Sequence, residues 1–129
     1  MIMDSLLEFG SINLASPGNL PDVIDTGAAS KVVGNELYMV VQTGDASAVG
    51  GTSATVSLQT ADSTAFSGAV ELMSSPAVSS LDLKKDRIVF IGRMPVTGMK
   101  RYLRAKVETS GSFSAGSVKV YLVAGPQVV

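Results

Sequence analysis

Cysteine, histidine and tryptophan are all absent from the 129 residues, and each absence closes off chemistry. Without cysteine there is no disulfide and no thiolate nucleophile, so cohesion has to come from packing and hydrogen bonding. That suits a chain made in a reducing cytoplasm. Without histidine the commonest general base near neutral pH is missing, and Ser-His-Asp and Cys-His catalytic systems are excluded. Zinc sites built from Cys and His go with them, leaving only carboxylate-rich sites for a hard cation such as calcium. Aromatic residues are 5% of the chain, a thin supply of the flat platforms on which sugar-binding sites commonly rest.

Charge is scarce as well. Charged residues are 16% against 46% apolar, far from the composition of a disordered chain, and the length suits one domain with one core. The formal net charge of -1 supplies no positive field to hold a polyanion, which argues against nucleic acid as a partner. Nor is there a stretch near the roughly 20 apolar residues of a membrane span. Met1 to Gly10 is apolar, but Asp4 and Glu8 interrupt it and no basic residue precedes it, so it does not read as a signal peptide. A soluble protein is expected.

The carboxylates form no convincing constellation. Asp22 with Asp25 and Asp82 with Asp86 are the nearest to pairs, whereas a glycosidase sets its two carboxyl groups across a cleft; these aspartates read as solvated or turn-capping residues. No acidic run matches a calcium loop, and the glycines follow no phosphate-binding pattern. The expectation is no enzyme, no cofactor and no metal. A hydrolase using carboxylates alone is the disfavoured reading.

What is present is strand alternation of period two, which sets one row of side chains on a buried face. In Arg101 to Val107, Leu103, Ala105 and Val107 fall inward and Tyr102, Arg104 and Lys106 outward. In Ser117 to Val123, Val118, Val120 and Leu122 fall inward; with the glycine-containing segment 110–116 as its turn, this pair predicts a hairpin. Ser53 to Thr60 alternates as cleanly through Ala54, Val56 and Leu58. Glu36 to Thr43 is apolar on both faces, as in a central strand or one covered by a neighbouring subunit. Ala69 to Met73, Arg87 to Ile91 and Val23 to Asp25, before a break at Thr26 to Ala29, are shorter candidates. Turn residues at Gly44-Asp45, Gly50-Gly51, Ser74 to Pro76, Pro95 and Gly98 punctuate them. The pattern predicts an all-β fold, an antiparallel β-sandwich with few helices.

Residues 1–21 are expected as an extended N-terminal arm and 22–129 as the sandwich, because Pro17, Gly18 and Pro21 disfavour regular structure. Two groups are candidate protein–protein contacts. Met1, Ile2, Met3, Leu6, Leu7 and Phe9 are either packed on the chain's own core or covered by a neighbour, since left in water they would make an unusual patch. Lys100, Tyr102, Arg104 and Lys106 share one strand face, which is either a solvated surface or a basic stripe that meets an acidic one.

Four segments also resemble a known family in their order along the chain: Val23 to Ala29 (VIDTGAA), Gly50 to Phe66 (GGTSATVSLQTADSTAF), Lys100 to Arg104 (KRYLR) and Gly111 to Gly116 (GSFSAG). They resemble the capsid cement, or decoration, proteins of short-tailed phages of the Bordetella-phage type, over roughly residues 22 to 124. The resemblance implies a jelly-roll β-sandwich on the outer surface of a phage head, bound to the major capsid protein. Placement on a symmetric shell implies a homo-oligomer, dimer or trimer. A carbohydrate- or receptor-binding sandwich module of a phage tail is the alternative.

Overall fold

The computed structural model describes residues 3–25, 37–93 and 100–124, with the side chains of 3–7 and 124 left out. The strands are β1 (Met3–Asn13), β2 (Ile24–Asp25), β3 (Leu37–Thr43), β4 (Val49–Gly50), β5 (Ser53–Ala61), β6 (Val70–Ser74), β7 (Val78–Ser79), β8 (Ile88–Arg93), β9 (Tyr102–Ser110), β10 (Phe113–Ala115) and β11 (Ser117–Ala124). A 3-10 turn at Ser80–Asp82 is the only helical element among the described residues.

Two antiparallel sheets face each other. Sheet A runs β1-β11-β3-β8; sheet B runs β2-β9-β5-β6, with β7 also pairing β5, and β10 pairs β4 in a short ribbon. The adjacent pairs β1·β11, β2·β9, β3·β8 and β5·β6 are those of one long hairpin, its tip between β5 and β6, folded over so that successive pairs alternate between the layers. That is the jelly-roll form of the β-sandwich.

The predicted alternation is what builds the core. Ala54, Val56 and Leu58 of β5 and Leu103, Ala105 and Val107 of β9 point from sheet B into one apolar cluster with Met39 and Val41 of β3 and Val118, Val120 and Leu122 of β11. Strand β3 is central in its sheet, between β11 and β8. Its outer face is apolar for a second reason: Val40 is buried with Tyr121 and Val123 of β11 in a separate small cluster flanked by Tyr38.

Two expectations are corrected. Strands β9 and β11 do not form a hairpin; they lie in different sheets. Both have an apolar face, and those faces meet across the core, so matching alternation reflects layer-to-layer packing and not edge-to-edge pairing. Residues 110–116 carry the chain between the layers, and β10 on the way pairs with β4 at Phe113↔Gly50.

The N-terminal segment is extended as expected, but its described part is no arm outside the sandwich. Strand β1 pairs with β11 from Met3↔Val123 to Asn13↔Ser117. Phe9, Leu14 and Leu20 are core residues, and residues 18–20 run beside β9 through hydrogen bonds from the Leu20 N–H to the Ala105 carbonyl (2.9 Å) and from the Val107 N–H to the Gly18 carbonyl (2.8 Å). A boundary at residue 21 therefore does not exist in the fold. The alternation is hidden because β1 is bulged, with register shifts on both sides of Glu8. Gly10 at φ +91 sits in the irregular stretch, where a Cβ would lie 2.9 Å from the Pro21 ring. The break at Thr26 to Ala29, Glu36, Pro95 and Gly98 lie outside the described residues.

The polar interior is anchored by hydroxyls. Thr43, at the end of β3, accepts from the Arg87 N–H (2.8 Å) and donates to the Lys84 carbonyl, which fixes the turn leading into β8. Ser75 accepts from the Val56 N–H (3.0 Å) at the end of β6.

Leu103 is fully buried, whereas Lys106 is on the outer face of the same strand. Leu103→Ala is expected to cost about 2–5 kcal/mol in denaturant unfolding and Lys106→Ala less than about 0.5 kcal/mol. Equal losses would contradict the strand parity. Removal of residues 1–13 takes away an edge strand and Phe9, and a chain so shortened is expected to lose its cooperative thermal transition.

Candidate protein-interaction surface

Strand β9 lies between β2 and β5 and is held along its whole length, with each residue from Tyr102 to Ser110 opposite one of β5 from Ala61 to Ser53. Alternation then puts Tyr102, Arg104 and Lys106 on the outer face of sheet B. The structure brings these three of the predicted residues together on one rigid strand, with Lys100 just before it. The start of the strand is set by Thr60, which is fully buried. Its hydroxyl accepts from the Lys100 N–H (2.8 Å) and donates to the Tyr102 carbonyl (3.0 Å).

The basic side chains divide by partner. Lys100 pairs loosely with Asp62 at 3.8 Å. Arg101 makes a two-pronged contact with Asp25, Nε to Oδ1 at 2.9 Å and Nη2 to Oδ2 at 3.1 Å, and its guanidinium lies 5.1 Å from the centre of the Tyr102 ring. The hydrogen bond to Asp25, then its charge, raise the Arg101 pKa still further. Both pairs are exposed, so their worth is mainly in orienting side chains.

Arg104 is held differently. Its Nε donates to Gln59 Oε1 at 2.7 Å and its guanidinium carbon is 4.3 Å from the centre of the Phe66 ring. Phe66 comes from the loop between β5 and β6. It is only 6% exposed, yet it is not part of either apolar cluster; it is covered on the outside of the sandwich. Gln59, Thr60, Phe66 and Asp62 are not among the predicted site residues, and Asp25, expected as a solvated or turn-capping aspartate, proves to hold Arg101. Gln59 follows the inward Leu58 and so faces outward, but nothing in the strand pattern shows that a loop phenylalanine returns to meet Arg104.

The N-terminal candidates fare differently. Met1 and Ile2 lie outside the described residues, and the side chains of Met3, Leu6 and Leu7 are not described. For Phe9 the first of its two readings holds: it is 0% exposed and packs in the chain's own core, not on a neighbour. Exposed apolar side chains occur at the opposite edge of sheet A, where among the described residues β8 pairs only with β3. Ile88 and Ile91 there are 47% and 50% exposed, and Leu81 in the nearby 3-10 turn is 77% exposed.

On the outer face of sheet A, Tyr121 stands opposite Val40 on one side and Glu8 on the other. Its hydroxyl donates to Gln42 Oε1 at 2.9 Å. Burial, with a smaller contribution from the Glu8 carboxylate, pushes its pKa above the ordinary tyrosine value.

The fold and this surface define an all-β sandwich whose outer face presents organised basic side chains. The profile of the Bbp16 family, a family of Bordetella-phage proteins, matches residues 18–122. The chain belongs to the Bbp16 family. No curated protein matches the sequence.

The raised pKa of Tyr121 has a signed consequence. Below about pH 10 the hydroxyl is protonated in the folded and unfolded chains alike, and its contribution to stability is complete. Above that pH the unfolded chain loses the proton first, so stability falls as pH rises through the folded-state value. Tyr121→Phe should flatten that alkaline decline in urea midpoints measured from about pH 9 to pH 11. An unchanged slope would place the alkaline titration elsewhere.

Proposed function

We propose that this member of the Bbp16 family is a structural cement protein, bound to the outer surface of a tailed-phage head, where it stabilises contacts between major capsid proteins and has no enzymatic role. The observation that carries the reading is family membership over residues 18–122, joined to a rigid sandwich whose chemistry is displayed on a sheet face and an edge. The outer face of sheet B, with Lys100, Tyr102, Arg104 and Lys106, is the proposed capsid contact. The β8 edge, with Ile88 and Ile91 exposed and no second strand beside it among the described residues, suits contact with a second copy, since an open apolar edge invites a partner.

A small domain that touches two capsid subunits at once gains through effective concentration: each contact holds the other in place, so modest patches suffice. Repetition over a symmetric shell multiplies the effect and favours like-to-like association. Rigidity matters for such a clamp, because any slack in the domain lowers the effective concentration of the second contact.

Cosedimentation of the purified protein with matching empty capsids that lack it is the test. Saturation at a fixed ratio of copies per capsid protein is the expected result. Failure to bind across a range of salt concentrations would defeat the cement reading and turn attention to a receptor-binding role at the tail.

A further inference from the structure

We propose that Arg104 and Lys106, with Arg104 clamped by Phe66 and Gln59, form a preorganised seat for an extended acidic segment of a partner protein. The inference deepens the role given above to the outer face of sheet B and rests on that reading only for the identity of the partner.

The first ground is the state of Arg104. Ordering an arginine side chain on binding costs free energy that a preorganised one does not lose. Here that ordering has already occurred, with the Nε occupied by Gln59 Oε1 at 2.7 Å and the guanidinium carbon 4.3 Å from the centre of the Phe66 ring. The terminal Nη groups have no hydrogen-bond partner and the charge has no acidic partner among the described residues. A fixed guanidinium with its fork unoccupied is the geometry that takes a carboxylate with two parallel hydrogen bonds.

The second ground is the backbone of Phe66. It has φ +54, in the left-handed region that a bulky side chain occupies only under strain. The surrounding turn imposes it through the Phe66 N–H to the Ser63 carbonyl (3.0 Å) and the Ala69 N–H to the Phe66 carbonyl (3.2 Å). A glycine would meet that φ without strain. What the phenylalanine adds is a ring on the outside of the sheet beneath a cation.

The third ground is spacing and charge. Lys106 is two residues beyond Arg104 on the same face and has no ion pair among the described residues. Two residues of a strand span about 6.6–6.8 Å, the same repeat that separates like-facing carboxylates in an extended acidic segment. A nucleic-acid backbone fits less well. The chain carries a net charge of -1, and Glu71, opposite Gln59, and Glu108, on β9, flank the seat with carboxylates that a continuous polyanion would have to pass.

The test is a titration of the whole protein followed by NMR, with a capped hexapeptide bearing glutamate at alternate positions, its glutamine counterpart, and inorganic phosphate at matched charge. Saturable movement of the Arg104 Nε–H resonance with the glutamate peptide alone is expected, and Arg104→Lys should bind about tenfold more weakly because the fork is lost. Phe66→Ala should weaken binding in the same way while Phe66→Tyr restores it, with the resonance broadened in the alanine variant. Equal affinity in Arg104→Lys, or an equal response to phosphate or to the glutamine peptide, overturns the seat, and neither outcome depends on Phe66→Ala folding. Capsid binding undiminished in Arg104→Lys would overturn the capsid as the seat's partner and leave the cement reading intact. A peptide response that depends on Arg104, in a protein that ignores capsids, would do the reverse.

Discussion

The contact between the inner faces of two sheets holds everything else in place. The chain has no cysteine to staple it, and no group of acidic side chains that could hold a metal occurs among the described residues. Cohesion therefore falls to the row Ala54, Val56, Leu58 and the row Leu103, Ala105, Val107 meeting Met39, Val41, Val120 and Leu122. Period-two alternation couples this interior to the exterior. A residue inward at 103 or 105 puts its neighbours at 102, 104 and 106 outward, so a shift of one residue in β9 would turn the basic face into the core. The surface chemistry is thus as fixed as the packing beneath it.

Much of the fold was legible because alternation is a direct imprint of one-sided burial. Strands β3, β5, β9 and β11 overlap the segments that alternation marks out, Glu36 to Thr43, Ser53 to Thr60, Arg101 to Val107 and Ser117 to Val123, with β9 running on to Ser110. Pairing was less legible. Two strands with matching apolar faces look the same in sequence whether they are hydrogen-bonded side by side or stacked across the core, and β9 and β11 prove to be stacked. Strand β1 escaped notice because its bulge around Glu8 and Gly10 breaks the periodicity on which detection depends. Of the candidate surface, the basic stripe followed from parity alone. The residues that organise it did not, since Thr60, Gln59 and Phe66 reach Lys100, Tyr102 and Arg104 across roughly 40 positions of chain, a distance only the folded topology closes.

The outer face of sheet B shows how a small sandwich can carry an organised site without a cleft. Central strands β9 and β5 give a stiff floor, Thr60 sets the entry to β9, and the β5–β6 loop lays Phe66 back over the surface. Each device works against side-chain freedom, the main cost of recognition on an exposed face. Strain at Phe66 is carried by a loop with hydrogen bonds of its own, and the β5–β9 ladder keeps its register from Ala61↔Tyr102 to Ser53↔Ser110.

Strand β11 sits between β1 and β3, pairing with both, and this placement has a bearing on how the molecule is made. Neither neighbour can complete its sheet until residues 117–124 have left the ribosome, since among the described residues no other strand bridges them. The fold is consequently dominated by contacts distant in sequence, a topology that forms slowly because loop entropy is lost before the contacts that offset it are gained. During that interval the apolar inner faces and the open edges of β1 and β3 are exposed together, so the crowded interior of a cell making many copies is where this architecture is most exposed to misassociation.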